Sequence, residues 1–192
     1  NFNGTVDPGI TFHAWDQATG ANGNTADISG GGATGGITAY STATETAAIA
    51  VNSAPVLDNS GTTSLTGISE DDTNPTGNTI AALLATAGNP ITDADATDAE
   101  GIAVIAVDNT NGAWQFSTNG GTNWSNFGTP TTAAARLLGA DSNNNKVRFV
   151  PGLNFNGTVD PGITFHAWDQ ATGANGNTAD ISGGGATGGI TA

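Results

Sequence analysis

The apolar residues of this chain come in short bursts at strand spacing, and few stretches are spaced for a helix. Gly101–Val107 (GIAVIAV) is a continuous apolar run of strand length, as expected for a strand buried on both faces. Residues 146–150 (KVRFV) and Ile163–Trp168 (ITFHAW) predict further strands, and residues 10–15 repeat the second of these. Residues 113–117 and 122–127 flank Thr118-Asn119-Gly120-Gly121, where Asn-Gly supplies the positive φ of a tight hairpin turn. Val56-Leu57 and residues 62–69 (TTSLTGIS) are expected as the first strands after a break at residues 52–55, and residues 45–51 as the last strand before it.

Helical spacing occurs at Ile80, Leu83, Leu84 and Ala87, closed by Gly88 and Pro90, which predicts a short helix within 78–87. Residues 132–138 (TAAARLL) are expected to add one or two helical turns. Residues 29–36 and 182–189 are too glycine-rich to pack a core and are expected as flexible loops. Seven or more short strands separated by turn signals predict an all-β fold, a β-sandwich of immunoglobulin or cadherin type.

Residues 1–39 and 154–192 are identical, at an offset of 153. A period of this size matches a whole domain, so the pattern is that of sandwiches strung in tandem and not of a thin solenoid. Asn52-Ser53-Ala54-Pro55 has the composition of a linker. With the boundary there, residues 1–51 are the C-terminal third of one repeat, and residues 56–192 are the next, lacking only its last strand. A permuted unit, in which residues 1–51 pair with the strands that follow, is the other framing. The pattern starts and stops part-way, as expected of a window cut from a longer protein.

The chain has no cysteine or methionine, and 17 acids face three bases, Arg136, Lys146 and Arg148, for a net charge of −14. Thiol chemistry and disulfides are excluded. Nucleic acid and anionic lipid both require basic patches, so neither is an expected partner. No apolar run approaches the roughly 18 residues needed to cross a bilayer as a helix. Cations, by contrast, are attracted.

The densest acidic stretch carries Asp93, Asp95, Asp98 and Glu100 separated mostly by alanine. Such spacing costs repulsion unless a cation sits among the carboxylates, and calcium takes six to eight oxygens from flexible Asp-rich loops. Glu70, Asp71 and Asp72 form a second group that the fold is expected to bring near the first. The spacing is not that of an EF-hand, and the glycine-rich loops carry no aspartate, which excludes a calcium roll. Trp114, Phe116, Trp124 and Phe127 around the hairpin and Phe12, Trp15, Phe165 and Trp168 on the twin strands are expected in the core, with an exposed sugar-stacking platform as the alternative. His13 and His166 occupy one repeated strand position, and no Ser-His-Asp set stands out. No enzymatic activity is expected.

Asp93-Ala-Asp95, the run Glu-Gly-Ile-Ala-Val from Glu100, Gly112-Ala-Trp-Gln-Phe-Ser117, Val147-Arg-Phe-Val-Pro151, Asn154-Phe-Asn-Gly157 and Phe165-His-Ala-Trp-Asp169-Gln follow one another in a familiar order. With residues 40–51 and Ala54-Pro55, they resemble the cadherin-like or immunoglobulin-like tandem repeat of giant bacterial surface and secreted proteins, often called adhesins. The resemblance implies a β-sandwich, an extracellular or cell-surface location, and calcium near domain junctions held by Asp93, Asp95 and Glu70. The family's usual Asn-Asp-Ala-Pro linker is Asn52-Ser53-Ala54-Pro55 here, so the linker brings no carboxylate. The expected role is a structural repeat of a filament, stalk or matrix protein, stiffened by calcium. Its expected partners are neighbouring repeats and, through self-association, further chains in a fibre, for which a donated strand is one route. An adhesin module recognising glycan or another surface is the alternative.

Overall fold

A computed structural model describes residues 4–95 and 99–183. The protein is almost all β and divides into two compact units, Asn1–Val51 and Asn52–Ala192. The first unit is built on an antiparallel pair, β1 (Gly4–Trp15) and β2 (Tyr40–Val51). Thr11 lies opposite Thr46 and Phe12 opposite Glu45, with irregularities between Val6 and Ile10 and between His13 and Trp15. Ile10 and Ile49 on this ribbon are 58% and 61% exposed. Phe12, expected in the core, is 44% exposed, because a two-stranded ribbon has no second sheet to cover it.

The second unit opens with β3 (Val56–Leu57) and continues through β4 (Asn78–Thr79), α1 (Ile80–Ala85), β5 (Ile91–Thr92), β6 (Gly101–Val107) and β7 (Gly112–Ser117). It then runs through β8 (Ser125–Asn126), β9 (Ala135–Gly139), β10 (Lys146–Pro151), β11 (Ile163–Trp168) and β12 (Thr178–Ala179). β3 pairs with β5, and two four-stranded antiparallel sheets run β4-β10-β7-β8 and β11-β6-β9-β12. Val147, Trp114 and Phe116 of the first sheet share one core with Ile102, Val104, Leu138 and Ala167 of the second. That arrangement is compatible with a β-sandwich. The helix α1 covers the same core with Ile80, Leu83 and Leu84, and the Thr79 hydroxyl caps it by accepting from the Ala82 N–H.

A smaller cluster of Ala103, Ala135, Leu137, Trp168 and Ile181 covers the opposite face of the second sheet. Apolar contacts on both faces are why β6 is a continuous apolar run. Its first residue must be small: a Cβ on Gly101 would stand 2.8 Å from the Trp168 ring.

Two segments depart from the sequence reading. Residues 132–138 hold no helical turns; Ala135–Gly139 is the strand β9, between β6 and β12. Alanine and leucine favour helix on propensity, but ladders on both edges and burial of Ala135, Leu137 and Leu138 outweigh that preference. Residues 62–69 form no strand. Their backbone groups are taken by side chains: Ser64 N–H donates to the Thr86 hydroxyl and Thr66 N–H to Asn78 Oδ1. In the 118–124 turn, positive φ falls on Gly120 and Gly121, and the Ser117 hydroxyl accepts from the Asn119 and Gly121 N–H groups.

The duplicated segment meets two different surroundings. In both copies the tryptophan indole N–H donates to a carbonyl four residues on, Trp15 to Thr19 and Trp168 to Thr172, each at 2.8 Å. Asp16 and Asp169 each accept the N–H two residues later. Pairing differs. Residues 4–9 are strand because β2 lies beside them, whereas their counterparts 157–162 are not strand. Conversely Thr178–Ala179 is strand because β9 lies alongside, and its counterpart at 25–26 is not. Turns are therefore encoded locally, and strand length is set by the neighbour.

Candidate cation site

Among the described residues, eight aspartates accept the backbone N–H two positions on: Asp16, Asp27, Asp58, Asp72, Asp93, Asp108, Asp169 and Asp180. Much of the acidity thus builds Asx turns, in which a carboxylate mimics a backbone acceptor. At Asp27, Asp58, Asp108 and Asp180 the side-chain and backbone hydrogen bonds of the residue two on (Ser29, Ser60, Thr110, Ser182) hold the carboxyl below its usual value of 3.8.

A pH dependence follows with a fixed sign. A carboxyl with a depressed folded-state pKa binds fewer protons folded than unfolded around pH 4. Its contribution is complete above the unfolded value and is lost as pH falls through the folded one. Stability is therefore expected to decline below about pH 4, and replacing these four residues by asparagine should flatten that decline. An unchanged slope in acid-unfolding curves would count against the turns as its source.

The Asp93–Asp95 pair lies beside Ser53, near the start of the second unit. Asp95 N–H donates to Asp93 Oδ1 at 2.9 Å, and the Asp95 carboxylate accepts from the Ser53 N–H. Next to Ser53, Asn52 Nδ2 donates at 2.9 Å to Oδ2 of Asp169, a carboxylate only 3% exposed just after β11. Among the described residues, two oxygens here are buried without a hydrogen-bond partner, Asp93 Oδ2 and the Ser53 hydroxyl. A buried carboxylate oxygen without a donor is costly. Residues 52 and 53 thus supply no carboxylate but bring backbone, the Asn52 amide and the Ser53 hydroxyl.

Among the described residues, Glu70, Asp71, Asp72 and Glu100 have other surroundings. Asp71 Oδ1 accepts the Asn154 N–H at 2.7 Å, and Glu70 Oε2 lies 3.5 Å from Asn156 Nδ2, so both face the loop before β11. Asp72 holds its own turn and lies near Arg148. Glu100 lines a shallow, solvent-open depression of about 340 Å³ with Asp141, Asn89, Ala81, Leu84 and Ala140. Asp98 lies outside the described residues, as do residues 184–189 of the second glycine-rich loop. Among the described residues, no three His, Cys, Asp or Glu side chains converge as a metal-binding group. The donors at Asp93–Asp95 suit a hard cation in kind, being all oxygen, while two carboxylates alone leave most of a calcium shell to hydroxyl, carbonyl and water.

Asp169 and Asn52 were not singled out by sequence. The available signal was Asp169's place directly after a buried strand tryptophan, in a motif that the chain contains twice. Trp114, Phe116, Phe127 and Trp168 are core residues, so the second unit spends most of its aromatic surface internally. Comparison with known protein families, curated proteins and solved structures gives no match for this chain.

Proposed function

We propose that this chain is a structural repeat of a long extracellular filament, stalk or matrix protein, made of tandem cadherin- or immunoglobulin-like sandwiches stiffened by calcium and able to self-assemble. The observation that carries the proposal is the duplicated segment, which adopts the same turns twice at a spacing of one domain. A unit copied without change presents the same surface at each step, which suits length and regularity better than selection of one ligand. The acidic, lysine-poor composition fits an external location. No helix among the described residues is long and apolar enough to cross a membrane.

Calcium is the cation this reading assigns to Asp93 and Asp95, with the Ser53 hydroxyl beside them. When bound, it neutralises the buried Asp93 oxygen and fastens residues 52–55 to the 93–95 turn. An ion held by the native state alone stabilises it in proportion to the logarithm of its concentration. At a hundredfold excess over the dissociation constant the melting midpoint should rise by about 5–10 °C. Chelator should reverse the rise, and Asp93→Asn together with Asp95→Asn should abolish it. A midpoint indifferent to calcium would remove the stiffening role. The filament reading is tested by electron micrographs of the native assembly, where thread-like objects of repeated beads are expected. Discrete globular particles that bind glycan would favour the adhesin alternative.

A further inference from the structure

Asn52 follows directly on Val51, the last residue of β2, so a pull transmitted along the chain from the first unit reaches the second at residue 52. Among the described residues, the first ladder beyond that point is β3 with β5, only two rungs long: Val56 opposite Thr92 and Leu57 opposite Ile91. A ladder that short carries little by itself. The chain is fastened before it gets there. Asn52 Nδ2 donates at 2.9 Å to Asp169 Oδ2, 117 positions away, and the Ser53 N–H donates to the Asp95 carboxylate. Ser53 and Pro55 are both buried, so this stretch is packed as well as tied. We infer that Asn52 and Asp169 form a tension latch, through which a pull from the preceding unit enters the second unit at β11 and not at β3. The inference deepens the filament reading and rests on it.

Asp169 is placed to take the load. It follows Trp168, which is buried and ends a strand paired with β6 from Ile163 opposite Val107 to Trp168 opposite Gly101. Its own carboxylate is buried too; Oδ1 accepts the Ala171 N–H and Oδ2 the Asn52 amide. Asp16, its twin, closes the same turn on Ala18 through one oxygen, so the turn does not require the second oxygen of Asp169. Hydrogen bonds to a charged acceptor are the stronger kind, and a buried carboxylate that loses a donor has no water to replace it. The latch therefore resists opening, and it hands the load to a long ladder and a buried ring in place of two rungs.

The chain has no cysteine, so handles attach only at introduced thiols. The full-length chain is pulled at constant force between Ser182→Cys and either Val51→Cys or Asn59→Cys, with chelator present so that no ion bridges Asp93 and Asp95. Val51 lies before the latch, whereas Asn59 is exposed and lies beyond both the latch and β3. Pulled from residue 51, Asn52→Ala should shorten the lifetime to first rupture about tenfold, the loss of one hydrogen bond to a charged group. Pulled from residue 59, the same substitution should leave the lifetime unchanged. Asn52→Asp, which sets two carboxylates face to face, should shorten it further in the first geometry. A lifetime indifferent to both substitutions when pulled from residue 51 would overturn the latch. Equal shortening from residues 51 and 59 would overturn it as well, since Asn52 would then be a general stabilising contact and not the point where load enters. Either failure leaves the filament reading standing, because micrographs of the native assembly decide that reading.

Discussion

Replacing Trp168 by alanine is expected to cost the second unit about 3–5 kcal/mol, the range for removing a fully buried tryptophan. The same substitution at Trp15 should cost less than half as much. The two residues have identical sequence neighbours from 14 before to 24 after, and each donates its indole N–H to an equivalent carbonyl. What separates them is packing. Trp168 is 1% exposed and belongs to the cluster with Ala103, Ala135, Leu137 and Ile181, whereas Trp15 is half-buried on a ribbon. Denaturant unfolding read through amide exchange of β6 for Trp168→Ala and of β2 for Trp15→Ala would measure each loss. Equal losses would mean that the local turn, and not the core behind it, fixes the value of the ring.

Removing the Arg148 guanidinium is the second large effect, at about 3 kcal/mol for Arg148→Ala, since hydrogen bonds to charged groups contribute more than neutral ones. Arg148 is 8% exposed. Its Nε donates to Gln115 Oε1 at 2.7 Å, and its Nη1 to Asn74 Oδ1 at 2.8 Å and the Pro75 carbonyl at 3.1 Å. The guanidinium carbon sits 4.1 Å from the Trp124 ring centroid. Burial pushes the Arg148 pKa down, and the Asp72 charge opposes that shift. One planar fork thus ties the 72–77 segment to β7 and to the hairpin tryptophan. Lysine keeps the charge but loses the fork and the stacking plane, so Arg148→Lys should recover little. Faster proteolysis within 70–77 in both variants would accompany the loss; wild-type stability in Arg148→Lys would show that charge alone suffices.

Sequence pattern located elements best where local chemistry and final packing agree. β6 was legible because apolar contacts cover both faces of its sheet, and α1 because Thr79 caps a helix whose spaced apolar residues meet the core. β9 was not, since Ala-Arg-Leu-Leu carries helix propensity and becomes strand only through β6 and β12, which are far away in sequence. Residues 62–69 have strand composition, yet Thr86 and Asn78 side chains occupy backbone positions that a ladder would need. At the cation site, the spacing of Asp93 and Asp95 was visible. Their meeting with Ser53, and the part played by Asp169, depend on long-range folding. Glu70 and Asp71 instead meet Asn156 and Asn154, partners far along the chain that the acidic run itself does not announce.

The tryptophan turn, present twice in unlike surroundings, also sets a clock. Its indole N–H reaches only four residues along the chain, so it needs no distant partner. Local structure of this kind forms in microseconds. A ribosome adding about 5–20 residues per second takes about 8–30 s to deliver the second copy, 153 residues behind the first. Neighbouring identical domains invite mispairing while both are unfolded. On these rates the earlier copy's turn is expected to close before its duplicate leaves the ribosome, so the order of synthesis would keep apart two segments that no difference in sequence distinguishes.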